Sequence, residues 1–332
     1  MTVDVVILNY NGRTLLGECL PSVVAAAQAC RRPTTVWVVD NASTDDSLDV
    51  LRRDFPSVRV RSEPNLGLCS FNSMLADATS RAAVLLNNDI RLAEDALDPL
   101  VEPFFTPRRA DDRPLWMTAA QCLQFDGAAY EGQKTAIGWR WGLIQATSLF
   151  PGHEAVTDVP DATASAGAAI AVDRERFLEL GGFDPIYLPG RLEDLDLAYR
   201  AYLAGFEAWY VPDSVAYHLG AATFKREFGD AGCARLALRN TLVFQWRNLR
   251  RPAHWLRQAF GLGVRLAYET AAAPWKRPEN RWTLAKAALD AWRLVRAAEP
   301  RSAQPNDAQS EGEYFVRYAP QRLGRPAGKA AA

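Results

Sequence analysis

VDVVILNYN, residues 3–11, sets the reading of the whole chain: a dense apolar run that stops on three polar residues. Arg13 to Ala29 then carries apolar residues at helical spacing, and TVWVVD (35–40) is a second run rich in β-branched residues. Strand, helix and strand in that order form a βαβ unit, which builds parallel sheet. Working outward, Thr44 to Asp46 supply polar residues for a helix start before Leu48 and Leu51. A third strand is predicted over Val58 to Arg61, a helix over Leu68 to Thr79, and a fourth strand over Ala82 to Leu86 that breaks off at Asn87, Asn88 and Asp89. The expected fold is α/β with a mostly parallel central sheet.

Open α/β sheets bind ligands at the carboxyl ends of their strands. Three such ends carry polar clusters here: Asn9-Tyr10-Asn11, Asp40-Asn41 and Asn87-Asn88-Asp89. Asn and Asp also serve ordinary turns, so each cluster alone supports either reading. Leu115 to His153 is irregular in period. Ser165 to Val172 is predicted as a small-residue strand, Arg174 to Leu180 as a helix stopped by Gly181-Gly182, Leu192 to Ala204 as a helix, and Ala208 to Val211 and Val215 to His218 as short strands. From Ala221 the chain is helical and basic until it turns polar near Pro300. The expected organisation is a domain over 1–220 with halves 1–110 and 111–220, a helical extension over 221–299, and a mobile tail over 300–332.

The formal net charge of -1 gives no global attraction to nucleic acid. The start lacks a basic n-region and places Asp4 in its first apolar stretch, which argues against a secretory signal and for the cytosol. Five scattered cysteines without CxxC spacing read as small core residues. No run reaches the roughly 18 apolar residues that span a bilayer, so any membrane role is peripheral, at the inner face of the cytoplasmic membrane. GxGxxG and GxxxxGK[ST] are both absent, so a nucleotide at the first strand needs another phosphate device.

Asp89 is the candidate for that device. A hard oxygen ligand there suits Mg2+ or Mn2+ held against substrate phosphates, and such a cation offsets charge on a departing diphosphate. Further on, GRLEDLDL (190–197) crowds Glu193, Asp194 and Asp196 into a first helical turn. Acids are favoured there by the helix dipole, so they read equally as dipole partners or as catalytic carboxylates. His218, at the end of an apparent strand, is a metal ligand, a proton carrier or a surface ring.

VVILNYNGRTLLGECLPSV (5–23), VWVVDNASTDDSLDVL (36–51), EPNLGL (63–68), VLLNNDI (84–90), the long stretch from Ala168 to Gly220 containing GGFDPIYLPGRLEDLDLAYRAYLAGFEAWYVPDSVAYHLG, and RNTLVF (239–244) follow one another in the order and spacing of a known family. The sequence resembles the family 2 glycosyltransferases of the GT-A type, in particular the bacterial branch that includes rhamnosyltransferases. The resemblance runs over residues 3 to 245.

The resemblance implies a GT-A fold, Rossmann-like, with the helical extension appended. It implies inverting transfer from a UDP- or dTDP-sugar, dTDP-rhamnose among them, to a glycan or lipid-linked acceptor, with Mg2+ or Mn2+. Asn9 and Tyr10 match the strand end lining the base pocket, and Asp40 and Asn41 the step that reads pyrimidine and ribose. Asn65 and Gly67 match the NxG turn beside the nucleotide. Asp89 takes the last position of the metal motif, with Asn88 beside it on the donor side. Asp194 matches the general base of the ED motif, with Glu193 orienting the site, and His218 matches an HxG contact to metal or diphosphate. Gly167 leaves space for sugar or acceptor. With Asn87 and Asn88 in the metal motif only one carboxylate remains, which suits the alternative of a non-catalytic sugar-nucleotide or glycan-binding relative. A nucleotidyltransferase would need a basic Gly-rich loop after the first strand, which Asn9 to Arg13 does not supply.

Between Arg239 and Arg301 basic residues well outnumber acidic ones, with Trp246, Trp255, Phe260, Trp275, Trp282 and Trp292 interleaved. Two readings stand. The helices touch anionic lipid, or they are ordinary helices packing Trp inward with Arg outside.

Overall fold

The computed structural model describes residues 1–106, 112–220, 222–275, 281–299 and 308–324. The first half follows the βαβ reading closely: β1 (Val3–Asn9), α1 (Arg13–Ala29), β2 (Thr34–Asp40), α2 (Ser47–Asp54), β3 (Arg59–Ser62), α3 (Ser70–Asp77) and β4 (Ala82–Asn87). Helix α3 begins later than expected because Gly67–Cys69 form a separate 3-10 turn. β1 lies between β2 and β4, both parallel to it, with Val5 opposite Val36 and Val84. Every residue of β4 from Ala82 to Leu86 is buried. A strand covered on both faces has to be continuously apolar, and each buried Val or Leu stabilises by about 1.5–3 kcal/mol relative to exposure.

Next come β5 (Ile90–Leu92), α4 (Leu97–Val101), β6 (Leu115–Gln124), β7 (Tyr130–Gly132), β8 (Ala136–Arg140), β9 (Leu143–Thr147), β10 (Asp161–Ala162), β11 (Ala169–Asp173), α5 (Arg174–Glu179), α6 (Glu193–Leu203) and β12 (Glu207–His218). The main sheet runs β10-β12-β6-β11-β4-β1-β2-β3, and β8 and β9 make a separate hairpin. Its longest ladders are parallel, and β11 enters antiparallel to both β4 and β6. The chain enters β11 from the end where β4 stops, as the Asn87 amide donating to the Ala168 carbonyl shows, so β11 must run back along β4. The small-residue segment Ser165 to Ala168 is therefore not strand but the approach to it. The two short strands expected near 208–218 are one, β12, with an irregularity between Val211 and Val215 that takes up Pro212.

Among the described residues five helices follow: α7 (Ala222–Asn248, broken at Gly229), α8 (Pro252–Ala272), α9 (Thr283–Ala297), α10 (Ala308–Arg317) and α11 (Pro320–Leu323). The expectation of a mobile tail is wrong for residues 308–324; the remainder of that stretch lies outside the described residues. Tyr314, Tyr318 and Leu323 are buried in the same cluster as Tyr199 and Tyr202 of α6, with the Tyr199 and Tyr314 ring centroids 4.9 Å apart. The Tyr314 hydroxyl donates to the Ala164 carbonyl at 3.1 Å and the Ile137 amide to the Tyr318 carbonyl at 2.8 Å. A few apolar anchors outweigh the polar composition around them. Among the described residues no helix is long and apolar enough to cross a membrane.

Candidate active site

Three groups of expected residues are brought together at the ends of the strands. The first lies where β1, β2 and β4 end. The Asn9 side chain donates to Ser43 Oγ at 3.2 Å and to Asp40 Oδ2 at 3.4 Å, and accepts from Asn88 Nδ2 at 2.9 Å. Asp40 Oδ1 accepts the Ser43 amide. The Asn41 amide nitrogen donates to the Gly67 carbonyl at 3.2 Å, and Asn65 Oδ1 accepts the Gly67 amide at 3.2 Å. Asn9, Asp40 and Asn41 are fully buried. They form the floor of the group, while Tyr10, Asn88, Asn65 and Gly67 are at least partly open to solvent. Gly12 is required here, since a Cβ on it would sit 2.1 Å from Asn88 Nδ2 and 2.3 Å from Asn9 Oδ1.

The second group pairs Asp89 with His218. Because β5 lies antiparallel to β12 with Ile90 opposite His218, the turn after β4 carries Asp89 Oδ2 to 3.3 Å from His218 Nε2. Glu131 Oε1 sits 2.8 Å from the other ring nitrogen, Nδ1. Burial by itself would lower the imidazole, but its hydrogen bonds and attraction to Asp89 and then Glu131 outweigh that and push it up to about 9. Asp89 Oδ1 is buried with no hydrogen-bond partner. An orphaned carboxylate oxygen beside an imidazole fits a divalent cation that takes its remaining ligands from phosphate and water. Among the described residues no three His, Cys, Asp or Glu side chains form a complete protein cage.

The third group surrounds Asp194 at the start of α6. Its Oδ2 accepts Ser165 Oγ at 3.3 Å, and a Cβ on Gly167 would lie 3.0 Å from the same oxygen. Burial raises the Asp194 carboxyl above its ordinary value. Burial, and secondly the charge of Asp194, push Glu193 up to about 8. Asp194 lines a cavity of about 400 Å³ with His218, Gly167, Glu131, Gln133 and Ser148, whereas Glu193 does not line it. Asp196, the third acid of the turn, is structural. It accepts from Tyr187 Oη, Arg200 Nε and Asn248 Nδ2, each at 2.8 Å.

The approach to Asp194 is strained. Gly190, Arg191 and Leu192 have successive φ values of 152°, 80° and 69°, which non-glycine residues adopt only when held by their surroundings. Buried Asn240 of α7 supplies the hold, its amide 2.8 Å from each of the Tyr187, Gly190 and Arg191 carbonyls. RNTLVF contains this residue, but its spacing in sequence shows nothing of the loop it clamps. Glu131, Gln133 and Ser148 were not foreseen, because β7 to β9 are too short for a periodic signal, and Ser165 reads only as the start of a small-residue strand.

This sheet, with polar clusters at its parallel strand ends, an Asp–His pair after β4 and a carboxylate at the start of α6, has the GT-A fold. Residues 4–114 match the family model of Glycosyl transferase family 2, so that stretch is similar to the family. A putative polypeptide N-acetylgalactosaminyltransferase 10 of Drosophila melanogaster is 27% identical over 149 residues, 45% of this chain. The chain spans only 23% of that relative's length. The N-acetylglucosaminyl-diphospho-decaprenol L-rhamnosyltransferase of Mycobacterium tuberculosis is 25% identical over 244 residues, 68% of this chain and 78% of the relative. Among solved structures, GalNAc-T7 with UDP, GalNAc and Mn2+ superposes with a TM-score of 0.59 at 19% identity, over 96% of this chain and 57% of that one. S. aureus TarS 1-349 in complex with UDP-GlcNAc gives 0.54 at 14% identity, over 98% and 90%. At these identities the superpositions concern the fold.

Proposed function

We propose that the protein is an inverting glycosyltransferase that moves a sugar from a UDP- or dTDP-sugar to a glycan or lipid-linked acceptor by direct displacement. The observation that carries this reading is that Asp194 and His218 line one cavity, with Asp89 directly behind His218. An acceptor hydroxyl is a weak nucleophile, so a carboxylate has to take its proton as the new carbon–oxygen bond forms. Asp194 is that base: burial makes it more basic than an ordinary carboxylate, and Gly167 leaves room beside it. Burial and the neighbouring Asp194 charge make Glu193 retain its proton to higher pH than an exposed glutamate.

Asp89 and, once its ring has given up the extra proton, His218 would hold Mg2+ or Mn2+, which would supply charge neutralisation for the departing diphosphate. Asn88, Asn65, Gly67 and Tyr10 would contact the nucleotide above the floor of Asn9, Asp40 and Asn41. The relative named as an L-rhamnosyltransferase acting on a diphospho-decaprenol saccharide supports a deoxyhexose donor, dTDP-rhamnose first, and a cell-envelope glycan as the acceptor.

Thermal unfolding with UDP-, dTDP- and GDP-sugars, with and without Mn2+, tests the donor site. A ligand at 100 times its Kd stabilises the fold by about 2.7 kcal/mol. One nucleotide should shift the transition in the presence of Mn2+, and Asp89→Ala should abolish the shift. No shift with any donor, together with binding of free glycan, would establish instead a glycan-binding protein that has lost catalysis.

A further inference from the structure

The helix α8 is built inside out. Its inward residues include Gln258 and Glu269, both buried, and half-buried Arg265. Glu269 accepts the Leu284 and Ala285 amides at the start of α9, and the Arg265 guanidinium donates to the carbonyls of Arg140 and Trp141 at 2.9 Å. The outward face is apolar: Leu256 is 72% exposed, Phe260 73% and Tyr268 70%, with Val264 between them, and Trp275 just beyond the helix is 84% exposed. A surface helix normally shows the opposite distribution. This corrects the reading in which these aromatics pack inward; only Trp246 joins the core cluster.

A second element adds to the same face. The hairpin turn between β8 and β9 is Trp141-Gly142, with φ values of 50° and 76°, and it meets α8 at Gly261 and Arg265. A tryptophan in left-handed backbone is costly, and Asn is the favoured residue at that position of such a turn. The cost places an aromatic ring, 62% exposed, on the turn that abuts α8.

We propose that α8 and the Trp141 turn lie flat on an anionic lipid bilayer. The helix extends about 31 Å at 1.5 Å per residue, and as an exposed apolar strip it suits the boundary of headgroups and acyl chains. Charge selects lipid over a second copy of the chain. Arg251, Arg257 and Arg140 beside the strip are exposed, as are Lys286, Arg293 and Arg296 of α9, while the only acid of α8, Glu269, is buried. A two-fold self-contact would set this basic surface against itself, whereas anionic headgroups complement it. The proposal is independent of the transfer reaction.

Flotation of the full chain with vesicles tests it. The protein should float with phosphatidylcholine–phosphatidylglycerol vesicles and far less with phosphatidylcholine alone. Leu256→Glu with Phe260→Glu should weaken partition by about tenfold or more, since charge replaces inserted apolar surface. Trp141→Asn should raise thermal stability and still lower partition, a combination that a purely structural role for Trp141 does not produce. Failure to float at low salt with anionic lipid overturns the proposal, as does flotation that neither variant alters. A stable dimer by light scattering that the double variant splits into monomers would also overturn it, by making the face an interface between copies.

Discussion

Residues 3–89 and residues 165–220 share one sheet, yet their site residues are held in place by different means. In the first region Asn9, Asp40 and Asn88 come from strand ends that are neighbours in register, Asn9 lying opposite Asp40, and they bond mainly to one another. Local strand and helix signals suffice to assemble them. In the second region the loop before Asp194 is clamped by Asn240 from about 50 residues away, and Ala164 is tied to Tyr314 across 150 residues. The polar floor around Asn9 and Asp40 is local, and the position of Asp194, the proposed base, is a long-range product.

The largest effect should come from Asp194→Asn. Loss of a general base typically costs about 10²–10⁴ in rate, so kcat should fall by that order while the donor-induced thermal shift persists. If donor binding disappeared as well, the two regions would not be separable. Cutting the chain after residue 307 should come next, since it removes the burial of Tyr314, Tyr318 and Leu323 at roughly 1.5–3 kcal/mol each. Hydrogen exchange should then show lost protection in α6 and retained protection in β1 to β4; uniform loss would mean that the regions unfold as one.

Asn240→Ala sharpens the contrast at a single residue. It withdraws the donor from three carbonyls, a loss of about 1–3 kcal/mol, visible in urea unfolding. The variant should lose kcat more than donor affinity, and an equal loss of both would assign Asn240 a general structural role. The last prediction is read through pH and concerns Glu193. Its folded value is raised from the ordinary 4.5 to about 8, so the folded chain keeps a proton that the unfolded chain gives up. Its contribution is complete below about 4.5 and is lost as pH rises through about 8. Glu193→Gln should flatten that decline in unfolding free energy between those pH values, and an unchanged slope would locate the titration elsewhere.

The same division explains how much could be read without coordinates. Strand β1, helix α1 and the ends at Asn9, Asp40 and Asp89 follow from period and turn chemistry, whereas Asp194 is singled out among the acids of a crowded helix start by the family resemblance. That Glu193 faces away from the cavity, and that Asp196 serves Arg200 and Tyr187, depends on which side of α6 is covered, which three adjacent acids cannot reveal. Glu131 reaches His218 only because β7 pairs with β6 and β6 with β12. Polar residues around Tyr314 and Tyr318 conceal two of the most buried rings in the protein.

The Tyr314–Ala164 tie also bears on the order in which the protein is made. As the chain leaves the ribosome, β1 to β4 are complete within the first 87 residues and can close the nucleotide floor as an early-folding unit. The loop before Asp194 must wait for Asn240, and the segment at Ala164 for Tyr314, some 150 residues later. A nascent chain thus gains the polar floor long before the surroundings of Asp194, and under the function proposed above an interrupted translation product would carry the donor half of the site without its base.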